Sequence, residues 1–314
     1  MGMLEGKVAI VTGGGRGIGR GVAIALAEAG ASVVVDDPGV NVDGTSPDNG
    51  PADQVVAEIV ANGGKAIASY ESVATMDGGE NLIKAALNTF GKLDIVVTPH
   101  GILRDRMVFN MGEEEWDAVI QVHLKGTFAL MKPALTLFRQ QRSGRFITFT
   151  SGAGLSGNTG QANYSAAKGG IAGLTRTAAL DVGKYGVTVN CIAPAALTRM
   201  TGGVSDEARE KRQQMGISDK GAVHSMLRDP EDIAPMVVYL ASDDAWWVNG
   251  HIFMCYGGTI GWYPIPEATK KMETEGRWTP EEIAKQIKPA LFDPDFISKA
   301  VPNPEEQPAP AAGS

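Results

Sequence analysis

The strongest constraint in this chain is a rhythm. Short runs of β-branched and apolar residues alternate with longer stretches patterned for one apolar face. The runs are KVAIVT (7–12), ASVVVD (31–36), KAIASY (65–70), LDIVVT (93–98), RFITFT (145–150), VTVNCI (187–192) and HIFMCY (251–256). Helical stretches lie between them near 17–29, 52–62, 77–90, 113–139, 161–184 and 230–241. Runs that are apolar almost throughout, and not only at every second residue, belong to strands covered on both faces. Strand–helix alternation of this kind builds an α/β fold with a doubly wound, seven-stranded parallel sheet. With 314 residues, 43% of them hydrophobic, the chain can bury a large core. We assign that core to a single catalytic domain over residues 1–260.

Three segments break the rhythm. Residues 37–51 form a long polar loop after the second run. Residues 195–229 are too long for a plain connection and carry the charged stretch SDEAREKRQQM, which reads as a helical lid. Val204, Ala208 and Met215 are spaced for one apolar face of that lid. Arg199, Arg209, Lys211, Arg212, Lys220 and Arg228 supply it with cations. Residues 261–314 form a C-terminal extension with one helix signal, TPEEIAKQI, and a polar, proline-rich tail over 302–314 expected to be disordered.

Several classes of function are excluded at this level. The formal charge of −8 offers no basic footprint for nucleic acid. No apolar run reaches the ~20 residues of a membrane span, and the N-terminus lacks the pattern of a signal peptide. Cys191 and Cys255 sit inside apolar runs, with no metal-ligand spacing around them. A cytoplasmic protein acting on a small molecule is the expectation.

The first run leads straight into Thr12-Gly13-Gly14-Gly15-Arg16-Gly17-Ile18-Gly19, followed by a helical pattern. Glycines allow a tight turn and close approach of backbone to a pyrophosphate, and the helix N-terminus offers free N–H groups. The second run ends in Asp36-Asp37. A carboxylate there accepts hydrogen bonds from the adenine ribose and repels an extra phosphate, which favours NAD over NADP. Arg16 argues the other way, since a cation in the turn suits a 2′-phosphate.

Tyr164 and Lys168 stand four apart in a helical stretch and so share a face. A phenol needs help to act as an acid–base group near neutral pH, and an ammonium beside it favours the phenolate. Ser151 closes the fifth run, at the sheet edge where ligands bind in this architecture.

On these residues the chain resembles the short-chain dehydrogenase/reductase family over about residues 4–260. The shared elements are TGGGRGIG (12–19), the serine of FTSGAG (149–154), YSAAK (164–168) and APAALT (193–198). The resemblance implies a seven-stranded Rossmann sheet, a nicotinamide cofactor and a homodimer or homotetramer. It implies that Ser151 orients the substrate oxygen, that Tyr164 transfers the proton, and that Lys168 lowers the tyrosine pKa and binds the nicotinamide ribose. It places Gly13, Arg16, Gly17, Ile18, Gly19, Asp37, Ser72, Val73, His100, Gly101, Pro194, Leu197 and Thr198 at the cofactor. The family's usual Asn-Asn-Ala-Gly reads Thr98-Pro99-His100-Gly101 here, and its helical catalytic asparagine reads His123. The family asparagine acts through its backbone carbonyl, which holds a relay water. The stretches GGKAIASYESV (63–73), GILRDR (101–106), VHLKG (122–126) and IAPAALTRM (192–200) resemble most the hydroxyacyl-CoA dehydrogenase domain of peroxisomal multifunctional enzyme type 2 and its bacterial steroid-degradation relatives. A (3R)-hydroxyacyl-CoA or a steroid-like alcohol is the substrate this implies. The competing reading is a catalytically silent nicotinamide-binding protein serving as sensor or scaffold.

Overall fold

In a computed structural model of the chain, the structure describes residues 2–196 and 229–292. Residues 1–264 and 265–314 form two compact units. The first unit is built on one sheet. Its strands are β1 (Val8–Thr12), β2 (Ser32–Asp36), β3 (Lys65–Ser69), β4 (Ile95–Thr98), β5 (Gly144–Phe149), β6 (Val187–Pro194), β7 (Ile252–Tyr256) and β8 (Thr259–Tyr263). Their order is β3-β2-β1-β4-β5-β6-β7-β8.

All five residues of β1 are buried, as the continuous apolar run requires. Alternate residues still serve different faces. Ala9 and Val11 pack with Val22, Leu26, Val55, Ile59, Val237 and Leu240. Val8 and Ile10 pack with Leu82, Ile83, Leu130, Phe138 and Val182. One face is thus covered by α1 (Gly17–Glu28), α2 (Gly50–Ala61) and α8 (Ala234–Ala241). The other is covered by α3 (Met76–Phe90), α5 (Gly126–Gln141) and α7 (Ala162–Val182). Short helices α4 (Glu113–Ile120) and α6 (Gly152–Ser156) complete the unit. The described part of the second unit carries α9 (Pro280–Leu291), begun by a Thr279–Glu282 capping box.

Two expectations are corrected. The seven expected parallel strands are joined by an eighth, so the sheet has eight strands and runs on past residue 260. At Gly257-Gly258, with Gly257 at φ +49°, the chain doubles back, and β8 pairs antiparallel with β7 from Tyr256↔Thr259 to Ile252↔Tyr263. A two-residue glycine turn allows such a hairpin, and seven preceding parallel strands gave no hint of an antiparallel eighth. The stretch read as one helix over 113–139 is divided: residues Gln121–Lys125 form a π turn between α4 and α5. Hydrophobic periodicity does not register one extra residue in a turn.

The strand order reverses between β1 and β4, which pair with each other from Ala9↔Ile95 to Val11↔Val97. Ligands of open parallel sheets bind outside the carboxyl ends of strands at such a reversal. The glycine turn leaves β1 and the Thr98–Gly101 segment leaves β4 at this point.

Candidate active site

At the glycine turn, Gly13, Gly14, Gly15 and Gly19 leave no room for a side chain. A Cβ on Gly13, which has φ +60°, would lie 2.8 Å from His100 Cα. One on Gly19 would lie 1.9 Å from the Gly13 carbonyl oxygen, so this glycine lets α1 pack against the turn. One on Gly15 would lie 2.8 Å from Asp37 Oδ2. Gly17 has φ +51°, and Ile18 packs on the core beside it. The free amides at the start of α1 therefore face a cradle of bare backbone, which fits a pyrophosphate.

The two aspartates at the end of β2 do different things. Asp36 is fully buried; its Oδ1 accepts from the Glu71 amide at 3.0 Å, and burial pushes its pKa well above the usual carboxylate range. Asp37 is partly exposed at the mouth of the turn. Its Oδ2 accepts from the Gly15 amide at 2.9 Å and its Oδ1 from the Gly39 amide at 2.7 Å. Arg16 is engaged elsewhere: its guanidinium donates to the carbonyls of Gly39 at 3.3 Å and Val40 at 3.2 Å.

The residues expected to transfer the proton come together at the ends of β5 and α7. Ser151 is the N-cap of α6, in extended conformation. Its hydroxyl accepts from the Ala153 amide at 3.2 Å and is close enough to the Tyr164 phenol to favour its phenolate. Tyr164 lies in the first turn of α7, and Lys168 one turn later is 4% exposed. Lys168 Nζ donates to the Phe149 carbonyl at 2.7 Å and lies 5.7 Å from the Tyr164 ring centre. Thr150 Oγ1 donates to the Lys168 carbonyl, and Gly154 lets α6 close on α7, since a Cβ there would lie 2.6 Å from Lys168 Cβ.

Burial governs the protonation of this cluster. It pushes the Tyr164 phenol up to about 12; the Ser151 hydrogen bond opposes this and the nearby Asp105 charge adds to it. It brings the Lys168 ammonium down to about 8. In the chain alone, desolvation outweighs the help an ammonium gives a phenolate. Tyr164 is a neutral phenol at pH 7, poised to donate.

Both unusual histidines are buried. His123 sits in the π turn, and its Nε2 has both backbone groups of Ile102 within reach, the carbonyl at 2.8 Å and the amide at 3.1 Å. Its ring meets the Tyr164 ring edge-on, with centres 5.2 Å apart. Its backbone carbonyl accepts from Thr127 Oγ1 at 2.8 Å. Gly101 is required by this ring: a Cβ there would lie 2.1 Å from His123 Cε1. His100 turns inward, its Nδ1 2.6 Å from Thr12 Oγ1, and burial holds its pKa down to about 3. Val73 is buried beside Gly126, and the adjacent Ser72 is exposed with its carbonyl accepting from the Thr75 amide. Pro194 ends β6 opposite Cys255. Leu197, Thr198 and residues 197–228 of the expected lid, like the tail over 302–314, lie outside the described residues.

Asn163 was missed in the sequence. It is fully buried, donating from Nδ2 to the carbonyls of Arg104 and Glu115, both at 2.9 Å, while Oδ1 accepts from the Tyr164 amide at 2.7 Å. This one amide pins the first turn of α7 to the segment after β4. A polar residue immediately before the tyrosine was the available signal.

The glycine cradle, the reversal point and the Ser151–Tyr164–Lys168 cluster define a nicotinamide-dependent oxidoreductase that acts on CH–OH groups of a small molecule. The chain belongs to the short-chain dehydrogenase/reductase family. A family model described as enoyl-(acyl carrier protein) reductase matches residues 13–259. Hydroxyacyl-CoA dehydrogenase ChsB1 of Mycobacterium tuberculosis is 38% identical over 294 residues, covering 91% of this chain and 88% of that protein. Peroxisomal multifunctional enzyme type 2 of Mus musculus is 42% identical over 257 residues, which are 82% of this chain but 32% of the mouse enzyme. A 3-oxoacyl-[acyl-carrier-protein] reductase of Synechocystis is 41% identical over 82% of this chain and 98% of its own. The crystal structure of a short chain dehydrogenase from Mycobacterium avium superposes with a TM-score of 0.78 at 42% identity, covering 92% of this chain and 96% of that one. Among the described residues no helix is long and apolar enough to cross a membrane.

Proposed function

We propose that the chain is an NAD-dependent dehydrogenase that oxidises a secondary alcohol, or reduces the matching ketone, on a (3R)-hydroxyacyl-CoA or a steroid-like alcohol. The reading is carried by one observation, the gathering of Tyr164 with Ser151, whose hydroxyl favours its phenolate, and with the Lys168 ammonium 5.7 Å from its ring centre. A bound nicotinamide would accept the hydride as NAD in alcohol oxidation and give it as NADH in ketone reduction. Ser151 holds the substrate oxygen next to the phenol. In ketone reduction Tyr164 gives its proton to that oxygen; in alcohol oxidation it must first be a phenolate and takes the alcohol proton. Lys168 is charged at neutral pH, with its pKa at about 8. It stabilises the phenolate and reaches the nicotinamide ribose.

Preference for NAD rests on Asp37 at the mouth of the turn and on Arg16 being tied to Gly39 and Val40. The acyl-CoA branch rests on the similarity to ChsB1 and to the multifunctional enzyme, and on the cations expected over 199–228. The deciding experiment measures kcat/KM with NAD and NADP separately, using a 3-hydroxyacyl-CoA, its free hydroxy acid and a hydroxysteroid. Higher efficiency with NADP would overturn the cofactor assignment, and Asp37→Ser should narrow a genuine NAD preference. Equal activity on the CoA ester and the free acid would remove the thioester branch.

A further inference from the structure

Four buried side-chain polar atoms among the described residues make no hydrogen bond, and three of them, His100 Nε2, His123 Nδ1 and Ser165 Oγ, lie at or beside the site just described. Buried polar atoms are nearly always paired, with protein or with water, so an orphan calls for an explanation. His100 has the clearest one. It is 6% exposed and wedged between two special pieces of backbone.

On one side is the end of β1. Thr12 Oγ1 meets Nδ1 at 2.6 Å, and the His100 backbone closes on Gly13 so tightly that any Cβ there would clash. On the other side is the π turn. Nε2 would lie 3.1 Å from a Cβ on Gly126, and the backbone of Val122 and His123 faces the ring. The π turn matters here. The Gly126 amide bonds the carbonyls of Gln121 and His123, whereas an α-helix would send it to Val122. A neutral imidazole has one donor and one acceptor nitrogen. The Thr12 hydroxyl also has the Val97 carbonyl at 3.5 Å, but Nδ1 at 2.6 Å is much the nearer acceptor; with the hydroxyl donating to Nδ1, the proton sits on Nε2 and points at the carbonyl side of the widened turn, directly or through one water.

We propose that His100, as the Nε2–H tautomer, is a positioning residue that ties the cofactor turn at Thr12–Gly13 to the π turn carrying His123. His123 in turn touches Tyr164 and Gly101. One side chain thus sets the register between the cofactor cradle and the proton-transfer tyrosine. The inference rests on the nicotinamide-dependent reading of the site, but its tests do not all require turnover.

Histidine side-chain ¹⁵N NMR, assigned with a His100→Ala variant, should show His100 neutral and protonated on Nε2 from pH 8 down to pH 5. The Nδ1–H tautomer, or titration of His100 in that range, would overturn the proposal. Next, His100→Asn keeps a group that reaches Thr12, and His100→Gln keeps one that reaches the π turn. Asn should hold the NAD Kd within about threefold and lower kcat about tenfold; Gln should raise the Kd about tenfold and largely keep kcat. A side chain that merely fills space would give parallel losses in both variants, and that result would also overturn the proposal. Thr12→Val and His100→Ala should be non-additive in Tm, a readout independent of cofactor. Additive changes would sink the Thr12 link. Failure to bind NAD or NADP would instead remove the proposed function, leaving the tautomer and the Tm cycle to decide the bridge.

Discussion

Acid should destabilise this protein through two buried histidines, His100 and His123, and the size of the effect follows from their burial. His100 and His123 are 6% and 1% exposed. Burial, helped by the Lys168 charge, lowers the first to about 3 and the second well below the usual imidazole range. An unfolded histidine titrates near 6.5. Below that pH the unfolded chain binds protons that the folded chain refuses, so stability is complete above about pH 6.5 and falls as pH drops towards the folded pKa. Going from pH 7 to pH 5, His100 withdraws about 2 kcal/mol, and His123 adds to the loss in the same direction. Asp36 acts in the opposite sense, because its raised pKa lets the folded state take up a proton first. Whole-protein pH curves therefore mix the two contributions, and a difference separates them. Urea unfolding of the wild type and of His100→Ala and His123→Asn, at pH 7 and pH 5, gives that difference. The stability gap between wild type and His100→Ala should shrink by about 2 kcal/mol on acidification, and the gap to His123→Asn should shrink as well. A gap that stays constant would mean that the histidine concerned is protonated in the folded state, and the reasoning from burial would fail.

Three further outcomes are expected. Tyr164→Phe should lower turnover by about 10²–10⁴-fold with NAD affinity nearly intact, by stopped-flow kinetics and fluorescence titration; Lys168→Ala should weaken both. With the Tyr164 phenol at about 12, the oxidation rate should rise with pH through the alkaline range, while ketone reduction at neutral pH needs no prior ionisation; an oxidation rate that is flat between pH 7 and 10 would contradict this. Gly101→Ala should cost about 1–3 kcal/mol by overpacking against the His123 ring, and His123→Asn should restore part of that loss in thermal denaturation.

How much of this could be read in the sequence differs by element. The parallel strands were legible because burial on both faces leaves a mark in composition, as in the five buried residues of β1 and the eight-residue run of β6. The glycine turn and the Ser151–Tyr164–Lys168 spacing were legible because backbone approach and a shared helix face restrict residue type at fixed offsets. The π turn was not, since Gln121–Lys125 continues the apolar pattern of α4 and α5 and differs only in which carbonyl each amide reaches. Nor was the division of labour between Asp36 and Asp37, which depends on one being fully buried beneath the Glu71 amide and the other standing at the turn. Adjacent residues on a strand face opposite ways, yet nothing in Asp-Asp says which way is in.

The same limit explains the two histidines. As residue types they are compatible with catalysis, metal binding or packing, and their positions suggested a place beside the cofactor for His100 and that of the family's catalytic asparagine for His123. Burial decides among these by fixing charge. A histidine whose pKa lies at about 3 is a poor general base near pH 7, because the best catalytic pKa lies near the working pH. What remains to a permanently neutral ring is directional hydrogen bonding and shape. His123 uses both, reaching the backbone of Ile102 through Nε2 while its ring occupies the space that only a glycine at 101 leaves open. In the function proposed here, proton transfer is thereby left to Tyr164, with Ser151 and Lys168 as the neighbours that would stabilise its two protonation states.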